Sequence, residues 1–156
     1  MKTTCFAYGA NIDAPAMRQR CPTAVCHGLG ILHDHRPCAM QEGWLTIVKE
    51  PGWKTPGLLW TLETSDVQAL DIYEDVDAGL YVKETRTVHR FDDGTSLEVM
   101  VYVGRNSGPG GLHQEYASRV ARAIRGELRM MGEISERSAE LIESLAGPID
   151  EHGREL

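Results

Sequence analysis

Tyr81-Val82-Lys83-Glu84-Thr85-Arg86-Thr87-Val88-His89-Arg90-Phe91 runs into Asp92-Asp93-Gly94, and Leu97 to Val103 follows. Tyr81, Lys83, Thr85, Thr87, His89 and Phe91 fall on one face of an extended chain; Val82, Glu84, Arg86, Val88 and Arg90 fall on the other. A two-residue period with β-branched and aromatic residues reads as a strand. An Asp-Gly step between two such runs reverses the chain as a hairpin. An antiparallel pair therefore anchors the fold.

Working back from this hairpin, Thr64 or Ser65 can cap a helix through Val67, Leu70 and Tyr73 that ends near Glu74 and Asp75. Leu45 to Lys49 and Gly57 to Leu62 are apolar and β-rich. The Pro- and Gly-bearing residues 50–56 between them predict a connection, and so a second hairpin. Val25 to His33 reads as a further strand. Thr4 to Tyr8 is a short apolar run that Gly9 stops, and Asp13 can cap a short helix from Ala14 to Arg20 with Pro15 in its first turn. Beyond the hairpin lies a Gly-rich loop, Gly104 to Gly111. A long amphipathic helix follows over about 113–131, with Tyr116, Val120, Ala123/Ile124 and Leu128 on one stripe. A second helix, Glu136 to Leu145, precedes a polar tail over about 147–156. Five or six mostly antiparallel strands with these helices predict a single α+β domain over 1–156. A mostly antiparallel β-barrel with flanking helices is the preferred architecture, although the pattern alone does not separate it from an open sheet.

The 156 residues are enough to bury a core without disulfide or metal support. A formal net charge of -7 repels phosphates and anionic headgroups, so no nucleic acid or membrane partner is expected. No apolar run approaches the roughly 20 residues that span a bilayer, and a cytoplasmic location is the default expectation. Cys5, Cys21, Cys26 and Cys38 form no CxxC pair, and with His33 and His35 they match zinc spacing poorly. Free thiols and no metal are expected. The pair Met130-Met131 at the end of the long helix offers a surface for a homodimer.

Three segments carry unusual chemistry. In Phe6-Ala7-Tyr8-Gly9-Ala10-Asn11 an apolar strand breaks into small residues, which lets a carboxylate approach backbone N–H groups closely; an ordinary strand-to-helix turn would look the same. In Leu70-Asp71-Ile72-Tyr73-Glu74-Asp75-Val76-Asp77 four carboxylates surround apolar anchors. One turned inward would have its pKa raised by desolvation, as suits proton transfer near neutral pH, but spacing does not choose among 71, 74, 75 and 77. The loop at 104–111 lacks the Gly-Lys-Ser/Thr ending of a phosphate-binding loop. Neither a Gly-x-Ser-x-Gly elbow nor a His-Glu-x-x-His pair occurs.

Taken in order, these segments resemble the γ-glutamyl cyclotransferase family, the AIG2-like superfamily. Phe6 to Asn11 is similar to its F-A-Y-G-S-N opening, and Met17 with Arg20-Cys21-Pro22-Thr23-Ala24 to its M-x-x-R-x-P-x-A segment. Gly57-Leu58-Leu59-Trp60-Thr61-Leu62 resembles its G-V-L/V-W-x-L strand, and Leu70 to Glu74 its L-D-x-x-E helix end. Gly79-Leu80-Tyr81 and the Tyr116 helix fall where the family has a G-x-Y strand and a tyrosine-bearing helix. The resemblance covers about residues 4–130. It implies a barrel with flanking helices, no cofactor, and a small-molecule γ-glutamyl substrate cyclised to 5-oxoproline with release of an amine or amino acid. It further implies that Glu74 is the catalytic acid–base residue and that Tyr8, Gly9, Ala10, Asn11, Tyr81 and Tyr116 bind substrate. Alternatives are an enzyme that removes a γ-glutamyl protecting group from a biosynthetic intermediate such as an aminoglycoside, and a non-catalytic binding module. Two departures stand out. Ala10 replaces the usual serine, and Asp75 stands where the family usually has glycine, a charge expected to raise the pKa of Glu74 further.

Overall fold

A computed structural model describes residues 1–108 and 110–147; the predicted polar tail beyond Gly147 lies outside the described residues. Five strands form a closed barrel: β1 (Thr3–Ala7), β2 (Val25–Ala39), β3 (Leu45–Leu62), β4 (Tyr81–Arg90) and β5 (Ser96–Gly104). Four helices flank it: α1 (Ala14–Arg20), α2 (Thr64–Tyr73), α3 (Gln114–Glu127) and α4 (Glu133–Ser144). Around the barrel the order is β1-β3-β2-β4-β5. All neighbours are antiparallel except β1 and β5, whose parallel contact at Cys5 and Met100 closes the ring. The α+β barrel expected from the sequence is the one observed.

The β4–β5 hairpin keeps the predicted alternation, from Tyr81 opposite Gly104 to His89 opposite Ser96. The predicted hairpin between 45–49 and 57–62 is a correction, because these segments belong to one 18-residue strand. Its partner is β2, which runs on past His33 to Ala39, so that the reversal falls at residues 40–44. The Pro51-Gly52 signal marks a real irregularity of another kind. Lys54 pairs with His33 and Lys49 with His35, so four residues of β3 stand opposite Asp34 alone. Asp34 (φ 58°) and Gly52 (φ 84°) take left-handed conformations there, and the Gly52 N–H donates to Asp34 Oδ1 at 2.8 Å. A bulge absorbs the excess residues that a turn would otherwise use.

The barrel interior is filled from β1. Phe6 is 1% exposed, and Gly30 and Gly57, directly paired across β2 and β3, leave it room. A Cβ at Gly57 would lie 2.3 Å from the Ala7 carbonyl oxygen and 2.6 Å from Phe6 Cζ, so only glycine fits. The α3 stripe packs as its period predicts: Tyr116, Val120, Ile124 and Leu128 are buried. α3 ends at Glu127, and a short 3₁₀ turn, Arg129–Met131, continues it. Met131 enters the core at 4% exposure while Met130 stays 75% exposed, which leaves one methionine of the pair at the surface. No helix among the described residues is long and apolar enough to cross a membrane.

Candidate active site

The end of β1, the loop after it, the C-terminus of α2 and the start of β4 converge on one cavity of about 260 Å³. Tyr8, Gly9, Ala10, Asn11, Glu74, Tyr81 and Tyr116, residues far apart in sequence, all line it. Its inner wall is buried and includes Tyr8, Leu45, Tyr81, Tyr102 and Tyr116. Trp44, Tyr73, Asp75 and Arg119 form an exposed rim. Among the described residues no group of three or more His, Cys, Asp or Glu converges as a metal site.

Glu74 is the C-terminal cap of α2, in the sparsely populated bridge conformation (φ -89°, ψ 4°). A carboxylate there meets the negative end of the helix dipole. Enclosure by protein pushes its pKa from 4.5 up to about 7; the Arg20 charge and the hydrogen bond from Asn11 pull downward, and the Asp75 charge adds a smaller upward push. Asp75 thus acts in the expected direction, but burial dominates. Asp75 has φ 50°, in the left-handed region that favours glycine.

Asn11 is 8% exposed and fixed at three points. Its Nδ2 donates to Glu74 Oε1 at 3.3 Å, its Oδ1 accepts from Arg20 Nη1 at 2.7 Å, and its carbonyl accepts from Trp60 Nε1 at 3.1 Å. The turn Ala10–Ile12 begins at Gly9, where Ile12 N–H donates to the Gly9 carbonyl. Among the described residues, the N–H groups of Gly9, Ala10 and Asn11 have no main-chain acceptor. A Cβ on Gly9 would come within 3.4 Å of Leu45 Cδ2 and 3.5 Å of the Tyr116 hydroxyl, so a bare backbone keeps this wall open.

Three tyrosines brace the cavity through main-chain bonds. The Tyr8 hydroxyl donates to the Tyr102 carbonyl and the Tyr81 hydroxyl to the Leu45 carbonyl, both at 2.6 Å. The Tyr116 hydroxyl accepts from Leu45 N–H at 3.3 Å and so keeps its own proton to donate elsewhere. Burial pushes all three phenols upward, and they stay neutral. Trp44 stands at the rim against Tyr116, ring centroids 5.1 Å apart, and against His113 at 4.6 Å.

Arg20, Tyr73, Trp44, Tyr102 and Arg119 were not among the site residues expected from sequence. Arg20 carried a signal as a letter of the M-x-x-R-x-P-x-A segment, without a role. Tyr102 and Trp44 sit in runs that read as ordinary strand or loop.

A closed barrel with a half-buried carboxylate, Glu74, facing a Tyr-Gly-Ala-Asn loop defines the class of protein. Residues 5–123 match the family described as gamma-glutamyl cyclotransferase, AIG2-like, and the chain belongs to that family. It is 31% identical over 93 residues to a gamma-glutamylcyclotransferase of Bos taurus, covering 53% of this chain and 50% of that protein. To the gamma-glutamylcyclotransferase of Mus musculus it is 32% identical over 87 residues, with 49% and 46% covered. The chain spans about half the length of these curated relatives. A solved structure named gamma-glutamyl cyclotransferase has the same fold, with a TM-score of 0.82 at 21% identity over 100% of this chain and 94% of that one.

Proposed function

We propose that the protein is a γ-glutamyl cyclotransferase, which converts a γ-glutamyl amide to 5-oxoproline and a free amine or amino acid. The observation that carries this reading is Glu74, a single enclosed carboxyl group raised to about 7 at the wall of the cavity. Such a group exists in both protonation states near neutral pH, as a shuttle requires.

The ionised Glu74 takes a proton from the substrate's α-ammonium. The freed amine attacks the γ-carbonyl of the same molecule, forming the ring C–N bond. Collapse of the tetrahedral centre breaks the original C–N bond as Glu74 returns its proton to the departing nitrogen, and the second proton lost by the ring nitrogen passes by the same carboxylate to the released amine, which leaves as an ammonium ion. Both reactants belong to one substrate, so positioning supplies much of the rate, on the order of several kcal/mol when near-attack geometry is held. The N–H groups of Gly9, Ala10 and Asn11, which have no main-chain acceptor among the described residues, suit the α-carboxylate. Tyr8 and Tyr81 shape the glutamyl end, and Tyr116 has a proton to offer the amide oxygen. The leaving group lies toward the rim of Trp44, Tyr73, Asp75 and Arg119.

The test is 5-oxoproline release, followed by liquid chromatography, from γ-glutamyl amino acids, glutathione, γ-glutamyl-lysine and γ-glutamyl amines. Release from at least one class is expected, and the preferred class identifies the leaving group. Binding of these compounds without release from any would mean a binding module instead.

A further inference from the structure

Arg20 closes α1 and does not line the cavity, yet two hydrogen bonds tie it there. Nη1 donates to Asn11 Oδ1 at 2.7 Å and Nη2 to the Tyr73 hydroxyl at 2.9 Å. Its guanidinium carbon also lies 3.8 Å from the centre of the Tyr73 ring. Tyr73 immediately precedes Glu74, so one side chain bridges the loop and the helix end that both line the site.

A carboxamide can present either its oxygen or its NH₂ group to a neighbour, whereas a guanidinium only donates. Arg20 therefore occupies the oxygen of Asn11 and leaves Nδ2 for Glu74, at 3.3 Å. With the amide turned over, Oδ1 would face the carboxylate, which repels the ionised form and favours the protonated one. We propose that Arg20 is a positioning residue for the proposed cyclisation: it fixes Asn11 as a donor to Glu74, and so keeps that carboxylate ready to take the α-ammonium proton. The inference rests on the cyclotransferase reading of the site.

The other ionisable groups near Glu74 do not substitute for this cation. Asp75 adjoins it, and its influence on Glu74 is upward, opposite to that of a cation. Cys5 and Tyr8 from the β1 end, Tyr81 from β4, Tyr102 from β5 and Tyr116 from α3 are pushed upward by burial and remain neutral. Arg119 stands on the rim beside Tyr116. After burial, Arg20 is the largest influence on Glu74, and its direction is downward.

The experiment is a carboxyl ¹³C NMR titration of Glu74 in the free protein, its signal identified by loss in Glu74→Gln, alongside the pH profile of kcat/KM for 5-oxoproline release. In Arg20→Gln, Glu74 should titrate at higher pH than in the wild type, the acid limb of kcat/KM should move the same way, and kcat/KM at pH 7 should fall roughly tenfold. Arg20→Lys keeps the charge but lacks the planar fork, so titration should stay near wild type while kcat/KM falls by a smaller factor. Tyr73→Phe removes only the hydroxyl that accepts from Arg20 on a 45%-exposed side chain, and should give a smaller upward move in a folded protein. Unmoved Glu74 titration and an unmoved acid limb in Arg20→Gln would overturn the proposal; if that variant does not fold, the same result in Tyr73→Phe does so. A moved titration in a protein that turns over no γ-glutamyl compound would refute the activity and leave the positioning link standing. Turnover with an unmoved titration would do the reverse.

Discussion

Two arginine–carboxylate arrangements in this chain produce opposite outcomes. On the helical face, Arg125 bonds Glu136 at 2.9 Å and Glu143 at 2.7 Å, with all three side chains 37–49% exposed. Both glutamates are held below the usual carboxylate range. At the cavity, Arg20 makes no direct hydrogen bond to Glu74 among the described residues but is linked to it through Asn11, and Glu74 rises to about 7. The arginine charge acts downward in both places. What differs is solvent: the surface trio keeps its hydration, while Glu74 is half-buried at a cavity wall where the hydroxyls of Tyr8, Tyr81 and Tyr116 are engaged with main-chain groups. Burial wins at the cavity because direct charge pairing is withheld, and this keeps a carboxyl group near neutrality.

The largest expected effect of altering either arrangement is on turnover. Glu74→Gln is nearly isosteric but cannot shuttle a proton, so kcat should fall by roughly a hundred- to ten-thousand-fold. The wild-type acid limb of kcat/KM should fall near pH 7, since the base form is the ionised one.

Stability should respond in the other direction. Glu74 holds its proton up to about pH 7 in the fold but only to about its ordinary 4.5 in the unfolded chain. Between these values the folded state binds more protons, so its stability declines as pH rises through that window. Above pH 7, Glu74→Gln should exceed the wild type by about 1–3 kcal/mol in urea unfolding, and the gain should vanish below about pH 4.5. A constant difference across this range would show that Glu74 is not desolvated in the way described.

A smaller effect is expected at Asp75. Asp75→Gly relieves a left-handed residue and removes a like charge beside Glu74. It should stabilise the protein by about 0.5 kcal/mol, net of glycine's greater unfolded-state freedom, and shift the acid limb of kcat/KM to lower pH. Smallest of all, Arg125→Ala should leave the unfolding midpoint nearly unchanged at physiological salt, since exposed pairs contribute little. A large loss there would mean that the surface trio matters to the packing of α3 on α4.

The parts of this molecule legible from sequence are those where the signal is local. The period-two alternation of 81–91 with its Asp-Gly turn gave the β4–β5 register, and Asp13 caps α1 as expected, accepting from Ala16 N–H. The ribbon of β2 and β3 was misread at residues 50–56 because Pro and Gly there mark a bulge, and a bulge and a turn use the same residue types. At the site, the Tyr8 to Asn11 loop and Glu74 were reached through ordered motifs, since spacing left four carboxylates equivalent. Only the fold distinguishes them: Asp71 bonds Lys83 and Tyr102, and Asp75 faces solvent at the rim, while Glu74 is enclosed. The Arg20–Asn11–Glu74 relay was illegible because its links span 9 and 63 residues.

The most direct measurement is 5-oxoproline release by Glu74→Gln from the wild type's best γ-glutamyl substrate, with binding of that ligand followed in parallel by calorimetry. Binding should persist within a few-fold while release falls at least a hundredfold. Release at the wild-type rate would show that Glu74 does not carry the proton.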